Sequence, residues 1–284
     1  MYRNYVNSNP DSEISLQQPE KNVTTVVRYL AGMAYMAIFW PTAVVSVLVI
    51  SLFSGIFVDP ENHRKLGQWT LDTLLTLLIV GLELLGIIRV FDDDLKRHAD
   101  AAGPLIIACN HPALWDAPLV IRRCGRLNGI MKAEVLENPF LRNGALFAGF
   151  LPNLPRLKMI RLAMDRLAGG GRLLLFPEGT RTRQENGVIN PFRPGLALLA
   201  KQSGASILPV FISSNSRYLQ KGWPIWRMPG LPISILLRVG EPILIQPDEK
   251  VRDFSKRLEE IFRKELSTEI SLGRSHRNSS CVEP

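Results

Sequence analysis

The polar and apolar positions of this chain fall into two regimes. Residues 1–22 are polar, include Pro10 and Pro19, and read as a flexible tail. From Leu30 to Val58 there is no charged residue, a run longer than the roughly 20 apolar residues a helix needs to cross a hydrocarbon core. Pro41 interrupts it and allows a kink or a re-entrant hairpin. The run is too long for a cleaved signal peptide and lacks a small-residue cleavage site. A second apolar stretch, Leu66–Val90, carries Asp72 and Glu83 eleven residues apart. That spacing is about three helical turns, so both acids share one face with Gln68 and Thr76. The pattern predicts an amphipathic helix lying in or against a membrane and packing on the domain C-terminal to it. A second spanning helix, paired with the first as a hairpin, is the alternative. Residues 23–92 are thus read as membrane-associated helices.

After Asp92-Asp93-Asp94 the pattern changes to short apolar runs alternating with helical periodicity. Leu105–Cys109, Leu127–Met131, Leu173–Phe176, Ile207–Ile212 and Ile233–Val239 read as strands. Pro139–Ala148, Leu157–Leu167 and Gly195–Ser203 read as helices, and Gly169–Gly171 as a turn. Val251, Phe254, Leu258, Ile261, Phe262 and Leu266 recur at helical spacing, which predicts a C-terminal helix packed by one face. The alternation predicts an α/β fold, a mostly parallel sheet flanked by helices. It spans residues 93–272, and the polar residues 273–284 read as a disordered tail. No internal repeat is present.

Composition narrows the class. The chain of 284 residues is 46% hydrophobic, with a mean hydropathy of +0.07, a net charge of +8 and a pI near 9.6. Such a charge suits nucleic acid or an anionic membrane surface. The apolar N-terminal third favours the membrane, and no nucleic-acid-reading motif is present. Cys109, Cys124 and Cys281 show no paired or zinc-type spacing. Cys109, within an apolar run, reads as a core residue. No dinucleotide fingerprint accompanies Gly169–Gly171.

Two short runs carry candidate chemistry. In Asn110-His-Pro-Ala-Leu-Trp-Asp116, the histidine directly follows a predicted strand, where α/β sheets place ligands. Pro112 restricts the turn. Asp116, in the first helical turn beyond, can accept from Nδ1 and leave Nε2 free as a base. No serine or cysteine nucleophile is evident, so the substrate would bring its own, a hydroxyl. The alternative is a loop histidine with Asp116 as an ordinary N-terminal helix residue. In Phe176-Pro-Glu-Gly-Thr-Arg181, Gly179 permits close backbone approach, and Arg181 offers a planar fork suited to phosphate. Thr180 can add donors, and Glu178 can orient an arginine or a hydroxyl. An Arg–Glu pair bracing a turn is the alternative there. His63, His98 and His276 read as solvent-exposed. Arg122, Arg123 and Arg126 read as a solvated helix face or as an attraction for anionic lipid or an acidic carrier protein.

Together, the two runs resemble the blocks of the glycerolipid acyltransferase family, whose best-known members are the lysophosphatidic acid acyltransferases. The resemblance covers roughly residues 100–245 and includes Lys132-Ala-Glu134, Asn138-Pro-Phe140, Gly144, Phe192-Arg-Pro-Gly195 and Leu208-Pro209-Val210. It implies that His111 and Asp116 are catalytic and that Glu178, Gly179, Thr180 and Arg181 position an acceptor. It also implies that Pro209 belongs to an acyl-side pocket. Gly149–Arg156 departs from the family's second block: it is one residue longer and carries Pro155. By resemblance Arg156 would bind the acceptor's phosphate, with Lys158 or Arg161 as substitutes; a solvated loop arginine is the other reading. The implied partners are membrane lipids, a lysophospholipid acceptor and an acyl-CoA or acyl carrier protein thioester as co-substrate. No metal and no other cofactor are implied. The implied location is the membrane, with the catalytic domain on its cytoplasmic face.

Overall fold

A computed structural model describes residues 22–92, 95–100, 104–125, 127–131, 139–152, 156–224 and 227–279. The first apolar run forms one helix, α1 (Val23–Phe57), which continues through Pro41. The re-entrant hairpin is therefore not formed at the proline, which forfeits a single backbone bond in a helix otherwise rich in apolar residues. Asn22 caps the helix, accepting from Thr25 N at 2.9 Å. At 35 residues α1 is about 50 Å long, beyond the roughly 30 Å of a hydrocarbon core. Its surface is largely unpacked, with Leu30 at 62%, Leu52 at 64% and Phe57 at 78% exposure. Among the described residues it is the single helix long and apolar enough to cross a membrane.

The chain turns instead at Asp59, whose carboxylate caps α2 (Pro60–Leu84) with Pro60 in the first turn. Helices α1 and α2 pack together. Tyr35 lies against Gly81, where a Cβ would come within 2.4 Å of the ring, and donates to Leu77 O at 2.7 Å. At the turn the His63 ring meets Ser54 Oγ and the Phe147 ring, so it is not the exposed histidine that its charged neighbours suggest. The second apolar stretch is not one helix to Val90: α2 stops at Leu84, and Ile88–Asp92 is a strand, β1. Gly86, at φ +66, makes the break that periodicity alone did not mark. The sheet thus begins at Ile88, ahead of the composition change after Asp92. Leu75, Leu78, Ile79 and Leu82 of α2 are buried against the sheet, so α2 is a packing helix rather than a second span.

The further elements are α3 (Leu95–Asp100), β2 (Leu105–Cys109), α4 (Asp116–Cys124), β3 (Leu127–Met131), α5 (Pro139–Phe147), β4 (Leu151–Pro152), α6 (Arg156–Ala168), β5 (Arg172–Leu175), α7 (Gly195–Ser203), β6 (Ser206–Ser214), β7 (Ile233–Val239) and α8 (Val251–Ser279). The strand order is β1-β7-β6-β2-β5-β3-β4. Every pairing is parallel except β6 with β7, which matches the mostly parallel sheet expected. Strand alternation divides the core. Leu105, Ile107 and Cys109 join α2 and α4 on one face, while Ile106 and Ala108 join α6, α7 and α8 on the other. Helix α8 is longer than its apolar periodicity: it runs to Ser279, into the residues expected to be disordered, because backbone bonding needs no apolar face to continue.

Candidate active site

β2 and β5 are parallel neighbours, so the turns that leave their carboxyl ends share one edge of the sheet. The first turn is pinned from behind. Asn110, 2% exposed, accepts from Ile212 N at 2.7 Å and donates to Ile212 O at 2.8 Å, fixing the end of β2 to β6. His111 then faces Asp116, at the start of α4, with Nδ1 to Oδ2 at 2.8 Å. The same carboxylate oxygen accepts Ala113 N–H at 2.8 Å, which sets the tautomer: Nδ1–H donates, and Nε2 keeps its lone pair. Nε2 has no hydrogen-bond partner among the described residues. Asp116 is 1% exposed. Burial pushes its carboxyl above the ordinary aspartate range, while the bond and charge of His111, the Ala113 N–H and Arg181 pull it back.

The second turn holds the first. Glu178, 2% exposed, accepts His111 N–H at 2.8 Å, Asn190 N–H at 2.8 Å and the Thr182 hydroxyl at 2.9 Å. Burial raises its carboxyl too, with these bonds opposing the rise. Thr182 N–H donates back to His111 O at 2.7 Å. The Phe176 ring stacks on the imidazole, centroids 4.1 Å apart and 23° between planes. His111 is therefore clamped at its N–H, its carbonyl and its ring, and the rigid backbone aims Nε2.

The sequence-derived site residues fare differently. His111 and Asp116 meet as expected. Glu178 has both oxygens engaged by His111 N–H, Asn190 N–H and the Thr182 hydroxyl, so within the protein it braces the two turns. Gly179 holds φ +69, and a Cβ there would lie 2.8 Å from Arg193 Nε, so both backbone and space require glycine. Thr180 and Arg181 are half-buried beside it. Arg181 directs Nη1 to Leu219 O at 2.9 Å, and its charge reaches Asp116. Pro209 is a buried residue of β6 paired with Ala108, one residue before the carboxyl end of β2. Arg156 opens α6, and its side chain lies outside the described residues, as do Lys132–Glu134, Asn138, Pro155 and Arg126. The basic group after Asp116 is not free: Arg122 pairs with Glu83 at 3.2 Å and Arg123 with Asp92. Cys109 and Cys124 are buried in the core, and burial pushes the Cys124 thiol up to about 12. No group of three or more metal-binding side chains occurs among the described residues. Sequence reasoning missed Asn110, Phe176, Thr182 and Asn190 as supports. The first three lie in or beside the two motifs, whereas Asn190 carries no local signal.

Residues 90–213, which contain both turns, match the acyltransferase family. The two turns thus lie within a segment similar to that family. It is 34% identical over 115 residues to a lyso-ornithine lipid O-acyltransferase of Pseudomonas aeruginosa, covering 39% of this chain and 43% of that protein. It is 18% identical over 218 residues to a chloroplastic 1-acyl-sn-glycerol-3-phosphate acyltransferase of Brassica napus, covering 74% of this chain and 60% of that one. The chain thus spans about half the length of these curated relatives. Its fold is that of the 1-acyl-sn-glycerophosphate acyltransferase PlsC from Thermotoga maritima, with a TM-score of 0.66 at 20% identity over 85% of this chain and 97% of that one.

Proposed function

We propose that the protein is a membrane-bound O-acyltransferase that moves a fatty acyl group from a thioester to a lysolipid hydroxyl. One observation carries this reading. The His111–Asp116 pair leaves Nε2 with no hydroxyl or thiol of the described residues bonded to it, so the nucleophile arrives with the substrate. Nε2 takes the hydroxyl proton as the lipid oxygen bonds to the thioester carbonyl carbon. The tetrahedral intermediate collapses, the C–S bond breaks, and the imidazolium returns the proton to the leaving thiolate. Asp116 holds the ring and stabilises its charged form, as the aspartate of a triad does. No acyl-enzyme forms. Arg181, beside the pair, is the cation that meets an anionic group of the acceptor. The backbone amides of Thr180 and Arg181 have no partner among the described residues and are the candidate donors to the oxyanion.

The donor is acyl-CoA or an acyl carrier protein thioester, which places the catalytic domain on the cytoplasmic face. Helix α1 anchors the site at the depth where lysolipid and product reside. Lysophosphatidic acid is the first acceptor proposed. A second, lyso-ornithine lipid, is favoured by the 34% identity to an enzyme of that name and by the altered Gly149–Arg156 segment, where the family's phosphate contact falls. Purified protein in lipid vesicles, offered each donor with each lysolipid, decides the matter by mass spectrometry and thiol release. Diacyl product from one acceptor supports the reading. Fatty acid released without an acceptor would mark a hydrolase, and no turnover with any pair would mark a lipid-binding protein.

A further inference from the structure

Residues Tyr218, Leu219 and Gln220, in the connection between β6 and β7, each grip a different part of the site. Gln220 forms an isolated antiparallel bridge with Ala113, two residues after His111. The Leu219 carbonyl accepts Arg181 Nη1 at 2.9 Å. The Tyr218 ring lies 6.3 Å from the Trp115 ring, and its hydroxyl neighbours Tyr29 of the membrane helix α1. Between the other two contacts, Leu219 holds φ +62, the one left-handed non-glycine residue among those described. Such a backbone is unfavourable for leucine and persists where surrounding contacts over-determine it. With an ordinary φ the carbonyl would turn away and Arg181 would lose the acceptor that aims it.

We propose that Tyr218-Leu219-Gln220 is a positioning clasp: its left-handed Leu219 aims Arg181 at an anionic group of the acceptor and thereby sets where the acceptor hydroxyl sits before His111. The clasp rests on the lysolipid reading. It touches no reacting atom and acts through Arg181. It also links α1 to both catalytic turns, so a helix seated in the membrane and a correctly aimed arginine are parts of one arrangement.

The test separates backbone geometry from side-chain packing. Asparagine and glycine tolerate a left-handed φ, and a β-branched residue resists it. Leu219→Val is expected to raise KM for the lysolipid about tenfold, with kcat, donor KM and Tm little changed. Leu219→Asn and Leu219→Gly stay near wild type. Tyr218→Ala moves the same constant in the same direction and Tyr218→Phe restores it, which covers the case of a Leu219→Val protein that does not fold. Val and Asn variants that behave alike, or losses of acceptor and donor affinity that track Tm, overturn the clasp. If the wild type acylates no lysolipid, the functional reading fails instead. Hydrogen exchange at the Thr182 amide, bonded to His111 O, then reads the clasp without turnover. Faster exchange in Leu219→Val alone supports it, and equal exchange in all variants overturns it.

Discussion

The turn after β2 and the turn after β5 face each other across one bonded pair of loops, and they use buried carboxylates in opposite ways. Asp116 serves a side chain: it orients an imidazole whose far nitrogen is left open. Glu178 serves the backbone: it ties His111 N–H, Asn190 N–H and Thr182 into one unit. One carboxylate fixes the imidazole, and the other fixes the frame that holds it. Substitutions in the first turn should therefore harm chemistry at little cost in stability, while those in the second should harm both.

The largest effect belongs to His111→Ala. Acyl transfer falls by about 10²–10⁴-fold, while Tm, read by calorimetry, stays close to wild type. Asp116→Asn comes second with a loss in the same range, because the amide no longer favours the imidazolium. Its stability should hold or rise at neutral pH. Linkage gives the sign: a carboxyl whose folded value is raised binds protons more readily in the folded state. Its ionisation therefore subtracts stability as pH climbs from the unfolded value through the folded one, and an uncharged replacement removes that cost. For the same reason wild-type activity should fail on acidification above the ordinary aspartate range, as Asp116 takes up a proton and releases the Nδ1–H bond. A pH–rate profile that stays flat down to the usual carboxylate range would separate the observed pair from the proposed role.

Glu178→Ala ranks third and should behave differently. It strands buried donors, at about 1–3 kcal/mol for each one left unpaired, so Tm and activity fall together. If this variant keeps its Tm and loses turnover alone, the division of labour between the two carboxylates is wrong. Gly179→Ala is the smallest change. A left-handed alanine costs about 1–2 kcal/mol, and Arg193 must shift away from the new methyl. Chemical denaturation measures the first effect and acceptor KM the second.

Much of this was legible in the residues themselves. Strand runs such as Leu105–Cys109 and the helix Gly195–Ser203 stand where apolar periodicity puts them, and the histidine and aspartate meet as their spacing implies. What failed has physical causes. Ile88–Asp92 continues the apolar run of α2, so only the backbone bend at Gly86 separates helix from strand. Glu178 looked available because a motif shows which groups are polar but not which are already bonded. Its partner Asn190 lies twelve residues on, and Leu219 meets Arg181 across thirty-eight. Contacts made through folding at such range leave no local pattern.

The central claim is that the lipid hydroxyl, and no side chain, attacks the thioester. Intact-mass measurement of the protein after incubation with acyl thioester alone tests it most directly. An unmodified mass and no burst of thiol are expected, with thiol release beginning only when lysolipid is added. A protein heavier by one acyl group, formed before any acceptor is present, would contradict it.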